Sequence, residues 1–165
     1  SVFRKLTVEQ NILAILETCT SDKLEQKARL KSLLEELDLT TLARNKAYTL
    51  SGGEKRRLEI TRALVTSPRM LLLDEPFGAL DPIVRYRLQT DLRDIFRELG
   101  KTVVMVTHDI AEAGFFGDLL VLLRDGQVIQ KGPIEQLVHA PAEAYVDEFI
   151  SAQRTLLDCL EEVPE

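Results

Sequence analysis

Two short apolar runs constrain the fold more than any other feature of the sequence. They are "RMLLLDE", at 69–75, and "TVVMVTH", at 102–108. Such fully apolar runs are typical of strands buried at the centre of a parallel sheet. Between them, Asp81 and Pro82 supply the N-cap and first-turn proline of a helix that Gly100 ends. Strand, helix and strand with long connections predict a parallel α/β sheet.

The other predicted elements are helical in the first third of the chain and mixed after the two strands. In chain order they are a helix over about 8–18 with a capping box of Thr7 and Gln10, a helix from Ser21 through Asp38, a short helix or turn over 39–49, a helix over about 53–66, a short helix in "AEAGFFG", a hairpin turning at Asp125-Gly126, and helices beyond Pro133 separated by Pro141. The second helix carries apolar residues at helical spacing, namely Leu24, Ala28, Leu30, Leu33, Leu34 and Leu37.

Composition indicates one domain whose main partner is not nucleic acid. With 165 residues, 45% of them hydrophobic, the chain can bury one substantial core. Its net charge of −6 argues against nucleic acid, because phosphate binding needs a concentrated basic surface. The one basic cluster, Lys55-Arg56-Arg57, is interrupted at once by Glu59.

The sequence also indicates the cellular compartment in which the protein works. Its apolar runs are far shorter than the ~20 residues of a membrane helix. The first ten residues lack the apolar core of a signal peptide. We therefore expect a soluble, cytoplasmic protein. Cys19 and Cys159 fit no metal spacing, and we expect free thiols in preference to a disulfide.

Two carboxylates follow the first apolar run. Asp74 and Glu75 would lie at the C-terminal end of a central strand, where open α/β sheets place their ligands. An Asp there can hold Mg²⁺, which takes few protein carboxylates and keeps several waters. The neighbouring Glu can polarise an attacking water. The alternative is that Asp-Glu-Pro merely ends a strand, and the triplet alone does not decide between the two.

His108 ends the second apolar run. If the two strands are parallel neighbours, His108 and Glu75 lie at the same edge of the sheet. A neutral imidazole there can donate to a phosphoryl oxygen or hold a water. A lone histidine in such a place more often caps a helix or packs, but its pairing with Asp74 and Glu75 favours a functional role.

The stretch "LSGGEKRRLEI" opens a helix directly after two glycines. Free N–H groups and the positive end of the helix dipole would project from its start. Gly52 and Gly53 would let a phosphate approach the backbone. A plain N-cap by Ser51 is the alternative, and it explains the serine but not the adjacent glycines.

Three motifs, in order and spacing, resemble those of ABC transporter ATPases. "LSGGEKRRLEITRAL" resembles the signature motif, "MLLLDEPFGALDP" the Walker B motif and D-loop, and "VVMVTHDIAEA" the switch-histidine region. "SVFRKLTVEQNI" is similar to the segment that enters the family's helical subdomain, so the resemblance covers nearly the whole chain. The first third looks most like the lipopolysaccharide-export branch, and the remainder like osmoprotectant importers of the glycine-betaine type.

The resemblance implies nucleotide contacts at five positions. Ser51, Gly52, Gly53 and Glu54 would bind the γ-phosphate of an ATP held by the other subunit of a dimer. His108 would contact a γ-phosphate as well. The implied cofactors are ATP and Mg²⁺, and the implied partners are a transmembrane permease and a second ATPase subunit. The assembled protein would lie at the inner face of the plasma membrane.

The resemblance also assigns the acidic residues. Asp74 would orient Mg²⁺, Glu75 would be the general base for water, and Asp81 would lie at the dimer interface and connect the two sites. The implied fold is a partial P-loop NTPase (RecA-like) sheet with a helical subdomain inserted at the N-terminal end. Its expected segments are the helical subdomain over 1–66, the core over 67–133 and a C-terminal helical segment over 134–165.

The sequence departs from the family's pattern in one respect. No stretch resembles G-x-x-x-x-G-K-[ST], the Walker A loop that cradles the β- and γ-phosphates. The chain therefore looks like the family's domain without its N-terminal part. We expect it to bind ATP weakly and to hydrolyse little ATP alone. We also expect exposed apolar sheet edges to favour self-association.

Three functions are compatible with this pattern. The first is an ATP-hydrolysing transporter subunit, and the second is a non-catalytic module that docks on a permease or dimerises. The third is an ABC-type ATPase of DNA repair or translation. The third is disfavoured, because repair members carry a long coiled coil beside the signature and translation members usually carry two cassettes. The transported substrate and its direction are not readable from these motifs.

Overall fold

The computed structural model of the chain describes residues 2–158 and shows a mixed α/β fold. The helices are α1 (Val8–Cys19), α2 (Lys23–Glu36), α3 (Gly52–Leu64), α4 (Pro82–Leu99), α5 (Ile110–Phe116), α6 (Ile134–His139) and α7 (Ala144–Asp158), with 3₁₀ turns at Thr40–Leu42 and Ala47–Thr49. The strands are β1 (Met70–Asp74), β2 (Thr102–Val106), β3 (Leu120–Arg124) and β4 (Gln127–Gly132). β1 and β2 are neighbours in a parallel sheet, which confirms the predicted fold class, and β3 pairs antiparallel with β4.

Local sequence signals set most of the element boundaries. Thr7 and Gln10 form the predicted capping box of α1. Asp81 caps α4, and Gly100 ends that helix at a φ of 55°. The predicted hairpin turns at Asp125-Gly126, with φ values of 51° and 77° as a primed two-residue turn requires.

The start and the apolar face of α2 differ from the prediction. Asp22, not Ser21, is the N-cap, and its side chain accepts a hydrogen bond from Leu24 N–H. The chain before it is held extended, because Gln26 Nε2 donates to the Thr20 carbonyl at 2.7 Å. The Leu24 side chain, predicted on the apolar face, is 80% exposed.

The predicted burial of both strands was also wrong. In β1, Leu71 and Leu73 are buried, whereas Met70 is 58% and Leu72 67% exposed. β2 alternates in the same way between half-buried and exposed residues. Successive side chains of a strand point to opposite faces, so this alternation means that the described residues cover only one face of each strand.

Contacts divide the chain into two compact units, Ser1–Val104 and Met105–Glu165. In the first unit α1, α2 and α3 pack together, and α3 also packs on α4. The core of the second unit consists of the buried side chains Leu120, Leu137, Val146 and Ile150. Each unit therefore has its own apolar core.

Cys19 is an exposed free thiol, as predicted. Cys159 and the end of the predicted 134–165 segment lie outside the described residues. Among residues 2–158, no helix has the length and apolar character needed to cross a membrane.

Candidate functional site

The candidate signature residues form the start of α3. Ser51 Oγ accepts a hydrogen bond from Glu54 N–H at 3.3 Å, and Glu54 Oε2 accepts one from Ser51 N–H at 2.7 Å. This capping box places the Glu54 carboxylate at the positive end of the helix dipole. Helix geometry leaves the N–H groups of Gly52 and Gly53 without intrahelical acceptors.

The two glycines also have a packing role that the sequence did not reveal. A Cβ atom on Gly52 would lie 2.7 Å from Leu80 Cδ2, and one on Gly53 would lie 2.9 Å from Val84 Cγ1. Real Cβ atoms essentially never show contacts this short. Close packing of α3 on the start of α4 therefore explains Gly53 without any ligand, and the contact with Leu80 explains Gly52 less strictly.

The end of β1 carries the two candidate acidic residues. Asp74 and Glu75 are both exposed. Glu75 has a φ of 42°, which residues other than glycine rarely adopt. Its carbonyl accepts a hydrogen bond from Gly78 N–H at 3.1 Å. From α3, Arg56 Nη2 donates to the Asp74 carbonyl at 3.3 Å, so the signature helix contacts the end of this strand.

Asp81 lies at the start of α4. Its Oδ1 accepts a hydrogen bond from Val84 N–H at 3.0 Å, which makes it the N-cap of the helix. Because Gly53 packs against Val84, the start of α4 also adjoins the start of α3. The start of α3, the end of β1 and the start of α4 therefore come together within the first unit.

Two cations of α3, Arg56 and Arg57, are engaged in ion pairs. Arg56 Nη1 lies 2.9 Å from Glu59 Oε2. Arg57 pairs with Asp38 at 3.3 Å and with Asp91 on α4. The basic cluster of the sequence is thus partly neutralised by carboxylates of its own unit.

His108 lies in the second unit, in the loop before α5, and is exposed. Its carbonyl accepts a hydrogen bond from Gln153 Nε2 of α7 at 2.9 Å. Gln153 Oε1 accepts one from Ile110 N–H at 2.8 Å. A single amide side chain therefore contacts the backbone at two points of this loop.

Local side chains fix the rest of the loop. Thr107 Oγ1 donates to Glu112 Oε2 at 2.7 Å and accepts from Asp109 N–H at 3.1 Å. Asp109 Oδ1 accepts from the N–H groups of Ala111 and Glu112, and so caps α5. The candidate histidine is therefore carried by a loop that is tied to the helix on its C-terminal side.

The sequence motifs do not reveal the roles of Arg56 and Gln153, whose side chains both hold backbone next to candidate residues. Gln153 carried a readable signal, because it follows Ile150 by three residues and so lies on the apolar face of α7. Within the part of the chain that the structure describes, no group of three or more His, Cys, Asp or Glu side chains could hold a metal ion. Any magnesium at Asp74 would therefore need ligands from water and phosphate as well.

Comparisons with known proteins agree with the motifs. The ABC transporter family matches residues 1–78. The glycine betaine/carnitine/choline transport ATP-binding protein OpuCA of Bacillus subtilis is 36% identical over 156 residues, which cover 94% of this chain and 41% of that protein. The sulfate/thiosulfate import ATP-binding protein CysA of Neisseria meningitidis is 39% identical over 154 residues, 91% of this chain and 43% of that protein.

The solved structure of cbiO1 from Clostridium perfringens, described as part of the ABC transporter complex cbiONQ, has the same fold. The two superpose with a TM-score of 0.79 at 24% identity, over 99% of this chain and 63% of the other.

The chain spans about two fifths of the length of the curated relatives, 41% and 43% for the two named. The predicted resemblance to osmoprotectant importers is confirmed by OpuCA, whereas the resemblance of the first third to lipopolysaccharide exporters stays a prediction. The family match and these alignments identify an ABC transporter ATP-binding domain in this chain.

Proposed function

We propose that this chain supplies the signature, Walker B and switch-histidine parts of an ATPase that energises transport through a membrane permease. One observation carries the proposal, namely the meeting of three elements in the first unit. Arg56 joins α3 to the Asp74 carbonyl, and Gly53 packs against Val84 of α4. Motifs that are far apart in the sequence thereby share one region.

The start of α3 is the proposed contact for the γ-phosphate of ATP. Gly52 and Gly53 offer N–H groups at the positive end of a 13-residue helix, with the Ser51 hydroxyl beside them. Glu54 holds the Ser51 N–H group and so keeps this turn in place. The nucleotide would be held by a second ATPase subunit, as the family implies.

The end of β1 is the proposed site of magnesium and water. Asp74 is an exposed carboxylate, which fits an ion that takes one or two protein carboxylates and fills its shell with phosphate oxygens and water. Magnesium would neutralise charge on the transferring phosphate. Glu75 would accept a proton from the attacking water. Asp81 would lie at the interface of the two subunits, and His108 would contact the γ-phosphate.

The 165 residues contain no G-x-x-x-x-G-K-[ST] motif, which supplies the main phosphate cradle of such ATPases. We therefore propose that these residues alone bind Mg–ATP weakly. In the assembled transporter the subunit would lie on the cytoplasmic side of the membrane, against the permease.

Calorimetric titration of Mg–ATP into the purified chain tests the proposal. We expect weak binding that Asp74→Asn abolishes and that Asp94→Asn, at another exposed aspartate, leaves unchanged. Binding that survives Asp74→Asn would contradict the proposed magnesium site. Tight binding would mean that these residues contain a phosphate cradle of another kind.

A second candidate function is a non-catalytic docking module. An open groove of about 500 Å³ runs along α2, and its lining includes Leu24 and Leu30 as well as the charged Lys27 and Glu35. It lies within 1–66, which we assign to the helical subdomain, ahead of an ATPase core over 67–133 and a C-terminal segment over 134–165. Permease binding that needs no ATP, persists in Asp74→Asn and is lost in Leu24→Glu would favour this function.

A further inference from the structure

We infer that Gln153 is a positioning residue for His108, through which α7 fixes the loop that carries the candidate histidine. The contact of His108 with phosphate is part of the proposed function, and the inference rests on the proposed function only for that contact. The positioning itself is a property of the second unit and can be measured without nucleotide.

The geometry of the amide carries the inference. Gln153 Nε2 donates to the His108 carbonyl at 2.9 Å, and Oε1 accepts from Ile110 N–H at 2.8 Å. Ile110 is the first residue of α5, so its N–H group has no acceptor within that helix. The planar amide of glutamine offers a donor and an acceptor on separate atoms, so it can contact a carbonyl and an N–H group together. Gln153 therefore satisfies two backbone groups, two residues apart, at once.

The position of Gln153 is itself fixed by packing. Val146 and Ile150 of α7 are 0% and 4% exposed and belong to the core of the second unit. Gln153 follows them at a spacing of four and then three residues, which places it on the same face of the helix. Packing of α7 on the apolar core therefore places the Gln153 amide next to the loop.

The consequence for His108 follows from conformational freedom. Without the amide, the backbone on either side of His108 would lose two hydrogen bonds, and a ligand contact would have to order whatever freedom it gained. With the carbonyl held from α7, the backbone that carries the imidazole is ordered before a ligand arrives. The prediction is that losing the amide disturbs His108 more than it disturbs the fold.

NMR of the uniformly labelled chain tests this inference with an internal reference, because the chain has two histidines and the other, His139, ends α6. Gln153→Met keeps the length of the side chain but removes both hydrogen bonds. We expect the ring resonances of His108 to shift while those of His139 stay, and the Ile110 amide to exchange about five to ten times faster. Gln127→Met, at an exposed glutamine of β4, is the matched control and should change neither.

Gln153→Glu separates the two hydrogen bonds. A carboxylate can accept from the Ile110 N–H group but cannot donate to the His108 carbonyl. Slow exchange at Ile110 should therefore return while the His108 resonances remain shifted. Unchanged Ile110 exchange in Gln153→Met, or equal shifts at both histidines, would overturn the inference.

Titration of Mg–ATP into the same samples distinguishes this inference from the proposed function. Shifts of the His108 ring in the unsubstituted chain that weaken in Gln153→Met would support both. If His108 of the unsubstituted chain does not respond to Mg–ATP, the phosphate contact fails, while the nucleotide-free result still supports or overturns the positioning role.

Discussion

The starts of α3 and α5 both carry candidate phosphate contacts, but different physical means hold them in place. At α3 the cap lies within four residues, between Ser51 and Glu54, and the backbone packs closely against another helix through Gly53. At α5 the local cap, Asp109, is supplemented by Gln153, from more than 40 residues later in the chain.

This difference predicts different sensitivities. A close-packed backbone tolerates no added volume, because neighbouring atoms already lie at contact distance. A hydrogen-bonded loop tolerates added volume but not the loss of a donor or acceptor. Steric substitutions should therefore disturb α3, and isosteric substitutions that remove polar groups should disturb the loop before α5.

The largest effect is expected from Gly53→Ala. Alanine is the better helix former, but its Cβ would lie 2.9 Å from Val84 Cγ1, and valine is stiff at χ1. Overpacking of this kind costs about 1–3 kcal/mol, so we expect a net destabilisation of about 2 kcal/mol. Urea denaturation followed by circular dichroism measures it.

Two further variants check the steric cause. Val84→Ala should rescue most of the loss in Gly53→Ala, since it removes the opposing methyl groups. Gly52→Ala should cost less, because its neighbour Leu80 Cδ2 is the far end of a flexible side chain. A Gly53→Ala variant as stable as the unsubstituted chain would show that α3 is not held by packing at this point.

Signals that lie close together in the sequence predicted the structure well. The capping box of α1, the start of α4 at Asp81 and Pro82, its end at Gly100 and the Asp125-Gly126 turn are each decided by residues within one turn. The motifs also identified the family, because their order and spacing are specific.

Interactions between distant residues could not be predicted. The contact of Arg56 with the Asp74 carbonyl and that of Gln153 with the His108 carbonyl depend on how helices pack after they form. The exposure of Leu72 was missed for the same reason, since an apolar run does not state how many of its faces will be covered. The glycine pair predicted a close approach but not that α4 would make it.

An intermediate effect is expected from Thr107→Val in the loop before α5. The substitution preserves shape and removes a hydroxyl that donates to Glu112 and accepts from Asp109. Two lost hydrogen bonds predict a destabilisation of about 1–2 kcal/mol. Thr107→Ser keeps the hydroxyl and should retain most of the stability in the same urea experiment. Equal losses in both variants would mean that the methyl group contributes as much as the hydroxyl, so that the two hydrogen bonds alone do not account for the order of the loop.

The smallest effect is expected from Glu59→Gln on α3, and its dependence on salt completes the comparison. Glu59 pairs with Arg56 at 2.9 Å. Burial lowers the pKa of the Arg62 guanidinium, and the Glu59 charge partly opposes that shift. Arginine stays charged near neutral pH, so we expect a loss of about 0.5 kcal/mol that does not depend on pH there.

At about 1 M salt the Debye length falls to ~3 Å, so the loss in Glu59→Gln should shrink as salt is added. Thr107→Val removes bonds of an uncharged hydroxyl, and the Glu112 carboxyl group that accepts one of them is buried, where salt screens little. Its effect should therefore stay nearly constant over the same range. We would measure urea midpoints of both variants and of the unsubstituted chain at low and high salt. These midpoints test whether the two losses depend differently on salt. If both losses shrink equally, charge and not hydroxyl hydrogen bonding dominates the loop before α5, and the distinction between the two helix starts fails.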